Sequence, residues 1–195
     1  NPVSHSKSPA LFAAAYGTGK HSYSLIEAPT CKETMEIFRA EGFTGTNVTS
    51  PFKDEIMDYI SHPDRISSIL GSANTILLKD GEFHSWNTDY YGVRNTLLEH
   101  LAGESLTGTC TNVAATSAPG LAPSLPGTDG NHLKALVIGA GGAGKAAALA
   151  VKDMGMEVFF ANRSSHTAEP FAKKIGAEYV GLEKIPILLP KADII

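Results

Sequence analysis

Short apolar runs, separated by polar or glycine-rich stretches, give this chain the pattern of an α/β protein. In the C-terminal third, the runs 135–138 and 157–161 have the length and composition of buried parallel strands. The segment between them, 145–154, is rich in alanine and is followed by Gly155, which is typical of a helix and its end. The pattern therefore predicts a strand, a turn, a helix and a second strand.

The first hundred residues also alternate between helical and strand patterns. One helix is predicted to have Ser8 as its N-cap and Pro9 as its first residue, and Thr30 and Glu33 form a capping box for the next. Asp80-Gly81 is a type I′ turn signal. The predicted helices cover about 9–16, 31–41, 52–60, 64–70 and 90–101, and the predicted strands 22–27, 44–49, 74–79 and 82–86.

These patterns divide the 195 residues into three parts. We expect an α/β domain over 1–102, a flexible insertion over 103–131, and a Rossmann-type dinucleotide-binding domain over 132–195. The insertion is rich in Gly, Ser, Thr, Pro and Ala and has little periodicity. A doubly wound domain needs two βαβαβ halves, and the last part holds about one. We therefore expect this chain to be a piece of a longer protein.

The turn after the first C-terminal strand has the chemistry of a phosphate site. Gly139, Gly141 and Gly144 follow the spacing G-x-G-x-x-G inside a strand–helix–strand unit of about 30 residues. Glycines there permit a tight turn, close approach to a pyrophosphate, and close packing of helix on strand. The predicted cofactor-binding residues of this turn are Gly139, Ala140, Gly141, Gly142 and Ala143. The alternative is a glycine-rich turn of an ordinary α/β domain.

The residues after the second strand indicate which dinucleotide is bound. NAD-binding proteins usually place Asp or Glu there, to hold the ribose 2′-hydroxyl. This chain has Asn162, Arg163 and Ser164 instead, and a guanidinium can pair with a 2′-phosphate. The prediction is NADP rather than NAD. Alternatively, Arg163 is a solvated surface charge and Asn162 only caps the turn.

Composition excludes several classes of protein. With 43% hydrophobic and 18% charged residues, the chain can form a hydrophobic core. Its net charge of −4 does not indicate a basic surface that would bind nucleic acid or an anionic membrane. No apolar run approaches the ~20 residues of a membrane span. Cys31 and Cys110 form no C-x-x-C pair and indicate free thiols in a reducing, cytoplasmic setting. The seven histidines show no metal-ligand spacing, so no metal site is predicted.

Polar residues cluster at the ends of the predicted N-terminal elements. The clusters are Ser6/Ser8, the stretch 47–53 (N-V-T-S-P-F-K), Asn74-Thr75, and the stretch 87–89 (N-T-D). Each has a purely structural alternative when taken singly. Ser8 or Asp89 could cap a helix, Ser6 could belong to a turn, and Lys53 could be a solvated lysine in the first turn of a helix.

Taken together, the motifs resemble the shikimate dehydrogenase family, which includes quinate/shikimate dehydrogenases. S-H-S-K-S-P, N-V-T-S-P-F-K, A-N-T, N-T-D-Y-Y-G, G-A-G-G-A-G and N-R-S occur in the order and approximate spacing of that family. The resemblance covers nearly the whole chain apart from the insertion, and it implies a substrate-binding domain followed by a cofactor domain. Three positions depart from the family: Phe12-Ala13 replace His-Asn, and Thr167 stands about where a second basic residue is often found.

The resemblance implies an NADP-linked enzyme that interconverts 3-dehydroshikimate and shikimate in aromatic amino-acid biosynthesis. Ser6 and Ser8 would hold the substrate carboxylate. Thr49, Asn74 and Asp89 would bind ring hydroxyls. Lys53 and Asp89 would form the catalytic pair, and which of them transfers the proton stays open.

Three alternatives stay open at this point. The enzyme could prefer quinate or use NAD, or the chain could be a non-catalytic module that senses a ligand on the same fold. Lys53 and Asp89 argue against a sensor, which has no need of a proton-transfer pair. We also expect a small-molecule partner, no nucleic acid and no membrane, with the chain as a possible module of a larger multifunctional polypeptide.

Overall fold

The computed structural model describes residues 3–17, 21–102 and 133–195. The predicted insertion 103–131 lies outside the described residues, as does Cys110. The chain forms two compact units, Asn1–Trp86 and Asn87–Ile195. The predicted domain boundaries at 102 and 132 stay predictions. Among the described residues, no helix combines the length and the apolar character needed to cross a membrane.

The first unit is built on a mixed sheet of four strands in the order β1-β3-β4-β2. Neighbouring strands are antiparallel, except that β2 runs parallel to β4. The strands are β1 (Gly45–Asn47), β2 (His62–Pro63), β3 (Thr75–Lys79) and β4 (Glu82–Trp86). The helices are α1 (Ser8–Tyr16), α2 (Cys31–Ala40) and α3 (Arg65–Leu70), with a 3₁₀ helix at Glu55–Tyr59.

The hairpin β3–β4 confirms the turn signal in the sequence. Thr75 pairs with Trp86 and Lys79 with Glu82, which leaves Asp80 and Gly81 as the two turn residues. Their φ angles of 52° and 83° are both positive, as a type I′ turn requires.

Helix α2 supplies the core of the first unit. Cys31, Met35 and Phe38 are at most 3% exposed and recur every three or four residues, which is the spacing of one helical face. They pack in one cluster with Ile76 and Phe83 of the hairpin. The predicted cap is confirmed, because the Thr30 hydroxyl accepts the Glu33 N–H at 3.2 Å.

The N-terminal unit corrects two local predictions. Ser8 is not the N-cap of α1: it is the first helical residue, the N-cap is Lys7, and the Ser6 hydroxyl accepts the Ser8 N–H at 3.2 Å. Because the Ser6 hydroxyl accepts the first N–H of the helix, the Ser8 side chain is not needed as a capping group. The strand predicted over 22–27 is also wrong, since no described strand offers that segment a β-ladder.

The helix predicted over 52–60 is likewise wrong in type. An α-helix would bond the Met57 N–H to the Lys53 carbonyl. That carbonyl instead accepts the Ala73 N–H at 2.9 Å, and the Met57 N–H bonds the Asp54 carbonyl at 3.1 Å. The tertiary bond therefore leaves a short 3₁₀ helix in place of an α-helix.

The second unit carries three parallel strands in the order β5-β6-β7. Its strands are β5 (Lys134–Ile138), β6 (Glu157–Ala161) and β7 (Glu178–Val180), and its helices α4 (Thr88–Ala102), α5 (Gly142–Asp153), α6 (Ser165–Ile175) and α7 (Ile185–Leu188). The predicted strand–turn–helix–strand unit is confirmed. Beyond β7 the chain returns to β5, where Ile194 forms a parallel bridge with Ala135. The mixed α/β fold class is confirmed as well.

Helix α5 joins the sheet to helix α4. Ala146, Leu149 and Ala150 are buried, and the helix contacts both β5 and β6. Helix α4 packs against α5, and the Tyr90 hydroxyl donates a 2.8 Å hydrogen bond to Oδ2 of Asp153. Tyr90 is only 5% exposed, so this bond lies within the packed interface of the two helices.

The buried thiol of Cys31 should make stability depend on alkaline pH. Burial raises the pKa of this thiol above its usual 9.0, and the carboxylates of Glu55 and Asp58 raise it further. The stabilisation is therefore complete below the unfolded-state pKa of about 8.5–9 and is lost as pH rises from there through the folded-state pKa. We expect the free energy of unfolding of wild type to fall relative to that of Cys31→Ala between pH 8 and 10. Urea unfolding of both proteins measures this difference. A difference that stays constant over this range would contradict the prediction.

Candidate functional site

The glycine turn of the second unit has the backbone geometry that its sequence predicts. Gly139 has φ 109°, a conformation that residues with a Cβ rarely adopt, and its N–H bonds the Ala161 carbonyl at 2.8 Å. Gly141 is the N-cap of α5 and contributes no side-chain cap. The first N–H groups of this 12-residue helix therefore face the turn without a capping side chain, which suits a phosphate.

The third glycine is required by packing. A Cβ at Gly144 would overlap the carbonyl oxygen of Gly139 and would lie 2.9 Å from its carbonyl carbon. A Cβ at Gly141 would meet nothing within 4 Å. Gly144 thus lets α5 approach the end of β5, whereas Gly141 leaves open space where a ligand could approach the backbone.

The turn lies at the position where open α/β sheets bind ligands. β5 pairs with β6 on one side and is bridged to Ile194 on the other. The strand order therefore reverses at β5, and ligands of such sheets bind at the carboxyl ends of the strands next to this reversal. The fold and the turn define the second unit as a Rossmann-type α/β unit.

Asn162 ties the glycine turn to the segment that follows β6. Its Oδ1 accepts the Ala140 N–H at 3.3 Å, and its Nδ2 donates to the Ser164 carbonyl at 3.1 Å and to the Thr167 hydroxyl at 3.3 Å. The Tyr179 hydroxyl of β7 donates to the Asn162 carbonyl at 3.2 Å. Arg163, which lies between Asn162 and Ser164 in the sequence, is exposed. The sequence assigned the glycine turn and residues 162–164 to one cofactor site. It did not predict the hydrogen bond between Asn162 and Ala140.

In the first unit, three of the predicted substrate residues line one cleft. Ser6, Ser8 and Thr49 are among the residues that line a space of about 180 Å³, whose wall also contains apolar side chains such as Met35 and Phe38. Pockets for drug-sized ligands measure roughly 300–1,000 Å³, so this cleft suits a smaller molecule. Further polar residues of its wall, which the sequence analysis did not single out as ligands, are Ser22, Tyr23, Ser24, Thr46 and Asn47.

Lys53 and Asn74 are joined through the backbone next to that cleft. The Lys53 carbonyl accepts the N–H of Ala73, the residue before Asn74. Asn74 is 9% exposed, and its own carbonyl accepts the Val48 N–H at 2.8 Å. The Lys53 side chain is half-buried. The two predicted site residues are therefore held in fixed relation by main-chain bonds.

Asp89 belongs to the second unit and is the second residue of α4. The buried Asn87 side chain accepts the Asp89 N–H at 3.2 Å, so the residue that caps this helix start is Asn87 and not Asp89. Within the described ranges, no cluster of His, Cys, Asp and Glu has the arrangement of a metal site.

Comparison with known families identifies the chain. Residues 1–76 match the shikimate dehydrogenase substrate binding domain, and residues 124–195 match the shikimate / quinate 5-dehydrogenase family. These two segments make up well over half of the 195 residues. The chain belongs to the shikimate dehydrogenase family, as the motifs indicated.

Individual relatives agree with this assignment. The shikimate dehydrogenase (NADP(+)) of Natronomonas pharaonis is 34% identical over 100% of this chain and 65% of its own length. The shikimate 5-dehydrogenase of Thermus thermophilus, solved with NADP(H) and shikimate, has a TM-score of 0.67 and 28% identity over 94% of this chain and 61% of that one. The pentafunctional AROM polypeptide of Clavispora lusitaniae is 27% identical over 92% of this chain and 10% of its own length. The chain thus spans less than two thirds of the length of these relatives.

Proposed function

We propose that the protein is an NADP-dependent oxidoreductase that interconverts 3-dehydroshikimate and shikimate. The observation that carries this proposal is the small cleft that Ser6, Ser8 and Thr49 help to line, within a segment that matches the shikimate dehydrogenase substrate binding domain. Solved relatives with NADP(H) and shikimate support the choice of both ligands.

The cleft offers the chemistry that a small hydroxylated acid needs. The hydroxyls of Ser6 and Ser8, both half-buried at the start of α1, would donate hydrogen bonds to the substrate carboxylate. Thr49, Asn74 and Asp89 would bind ring hydroxyls. A site that hydrogen-bonds each hydroxyl of its substrate rejects analogues that lack one, because a buried polar group is then left unpaired.

The reaction removes a hydride from a ring carbon and a proton from its hydroxyl oxygen, and the reverse reaction returns both. The bound NADP would supply the hydride acceptor or donor. Lys53 and Asp89 would act at the oxygen, where one group holds or moves the proton and the other orients it. Lys53 is also a cation that can polarise the substrate carbonyl in the reductive direction.

The residues of the second unit fit a dinucleotide phosphate. The turn 139–143 would bind the pyrophosphate with main-chain N–H groups, and Gly144 keeps helix and strand close enough to form that turn. Arg163 would pair with the 2′-phosphate, with Asn162 and Ser164 holding the segment in place. The absence of an acid after β6 supports NADP over NAD.

Arg163→Ala should weaken NADP binding selectively. A charged hydrogen bond contributes about 1.5–3 kcal/mol, so KM for NADP should rise roughly 10- to 100-fold while KM for NAD changes little. Lys173→Ala, which removes an exposed cation from the last turn of α6, is the matched control and should change neither. Equal losses with both cofactors in Arg163→Ala would show that the arginine does not read the 2′-phosphate.

The full-length protein should be assayed by cofactor absorbance with shikimate and with quinate, each with NADP and with NAD. We expect rapid reduction of NADP with shikimate alone. Turnover with quinate, or with NAD, would be compatible with the proposed catalytic pair but would contradict the proposed substrate or cofactor specificity. Binding of shikimate without turnover under any pairing would favour a ligand-sensing module.

The proposed partners are small molecules, with no nucleic acid and no membrane. The match to the pentafunctional AROM polypeptide supports the further proposal that such a unit can be one module of a multifunctional chain. A cytoplasmic location is part of the proposal too, and the free, buried thiol of Cys31 is compatible with it.

A further inference from the structure

A line of side-chain hydrogen bonds crosses the first unit from Tyr23 to Asn74. The Tyr23 hydroxyl donates to Oδ1 of Asn47 at 3.3 Å, and Nδ2 of Asn47 donates to the Thr75 hydroxyl at 3.4 Å. The Thr75 hydroxyl in turn donates to Oδ1 of Asn74 at 3.1 Å. We call these four residues the Tyr23–Asn74 relay.

Every bond of the relay runs in the same direction. Each inner member accepts from one neighbour and donates to the next. The first two bonds are exposed, and the bond from Thr75 to Asn74 is partly buried. The Thr75 hydroxyl is the central link because a hydroxyl can accept and donate at once. Valine at this position would keep the shape of the side chain and interrupt the relay on both sides.

The backbone places these side chains in register. Asn47 of β1 and Thr75 of β3 are directly opposed across the antiparallel pair, where side chains lie close enough to bond. The main chain of Asn74 is fixed at both polar atoms, since its N–H also bonds the Trp86 carbonyl at 3.1 Å. At the other end, the ring of Tyr23 packs 5.1 Å from the ring of Phe12 in α1, the helix that begins beside Ser6 and Ser8.

We propose that Thr75 and Tyr23 are positioning residues for substrate, acting through Asn74. This inference rests on the proposed function. The Thr75 hydroxyl holds the Asn74 amide with its Oδ1 turned toward Thr75. Nδ2 is the donor group of this amide, and in the proposal it is the atom that donates to a substrate oxygen. The relay thereby makes Asn74 a hydrogen-bond donor that selects a hydroxyl or carbonyl oxygen at one ring position.

The test uses the full-length protein and three variants. Thr75→Val should raise KM for shikimate, and its Kd by calorimetry, about 5- to 10-fold, the loss of one or two neutral hydrogen bonds. KM for NADP and the melting temperature should stay near wild type. Thr75→Ser keeps the hydroxyl and should restore shikimate binding to within about twofold. Tyr23→Phe should weaken shikimate binding in the same direction by a smaller factor.

A matched control separates the relay from a general effect on the sheet. Thr44→Val removes an exposed hydroxyl just before β1 and should leave every constant unchanged. Wild-type KM for shikimate in Thr75→Val, or a Thr75→Ser variant as weak as Thr75→Val, would overturn the relay while the proposed function stands. Should Thr75→Val fail to fold, an unchanged shikimate KM in Tyr23→Phe would overturn it instead. A wild-type protein that neither binds nor turns over shikimate would overturn both proposals.

Discussion

Gly144→Ala is expected to destabilise the second unit by about 3 kcal/mol, the upper part of the usual range for overpacking. The added methyl would overlap the carbonyl oxygen of Gly139, a backbone atom that cannot rotate away. Either the start of α5 moves off β5 or the turn changes shape. Both changes displace the N–H groups that would hold the pyrophosphate, so NADP affinity should fall more than about tenfold. Urea unfolding and NADP titration of the same samples measure the two effects.

Gly141→Ala is the matched control for this substitution. Its Cβ would meet nothing within 4 Å, and its backbone has an ordinary extended conformation with φ −75°. Its free energy of unfolding should therefore stay near that of wild type, while its NADP affinity should fall, because the methyl occupies the space open to a ligand. A Gly144→Ala protein as stable as Gly141→Ala would contradict the packing role of Gly144.

Lys53→Ala should lower turnover of shikimate by roughly 10²- to 10⁴-fold, the usual contribution of a positioned acid or base. NADP affinity should stay near normal, because the glycine turn and Arg163 belong to the other unit. Steady-state kinetics with varied shikimate and varied NADP separate these two effects. The main chain of Lys53 keeps its bond to Ala73 in the variant, so the local fold should persist.

Lys79→Ala removes an exposed lysine from the end of β3 and serves as the control for lost charge. It should leave turnover within about twofold of wild type, as expected for a surface substitution. Turnover near normal in Lys53→Ala would exclude Lys53 from proton transfer. A loss of NADP binding equal to the loss of turnover would point to misfolding, which melting curves of the same samples would show.

The parts of the fold predicted correctly from sequence are those specified by neighbouring residues. The hairpin follows from two residues with positive φ, and the strand–turn–helix–strand unit follows from glycine spacing and an alanine-rich helix. Prediction failed where a distant partner decides the structure. The Lys53 carbonyl bonds Ala73, 20 residues away along the chain, and this bond replaces the predicted α-helix with a 3₁₀ helix. The segment 22–27 has strand-like composition, but no described strand pairs with it.

The candidate site shows the same division. Motifs singled out Ser6, Ser8 and Thr49, and the fold brings these three to one cleft. Tyr23 lies in no motif, and its contact with Asn47 joins residues 24 positions apart, so no local pattern could predict the relay. The bond between Asn162 and Ala140 spans 22 positions and depends on the parallel pairing of β5 and β6. Spacing can indicate that two segments meet, but it does not show which atoms bond.

The bond between Tyr90 and Asp153 has a consequence for how proteins of this family diversify. It joins α4 to α5 within the second unit, so Asp89 shares a unit with the glycine turn, whereas Lys53 shares the first unit with the cleft that Ser6, Ser8 and Thr49 help to line. If the genes of two relatives recombined at a point near Trp86, the cofactor site and Asp89 would be exchanged together as one block. Ser6, Ser8 and Thr49, which line the cleft, would descend with Lys53 in the other block. Chimaeras joined at this position would take the glycine turn and Arg163 from one parent, whereas the proposed substrate ligands and the proposed catalytic pair must be compatible across two lineages.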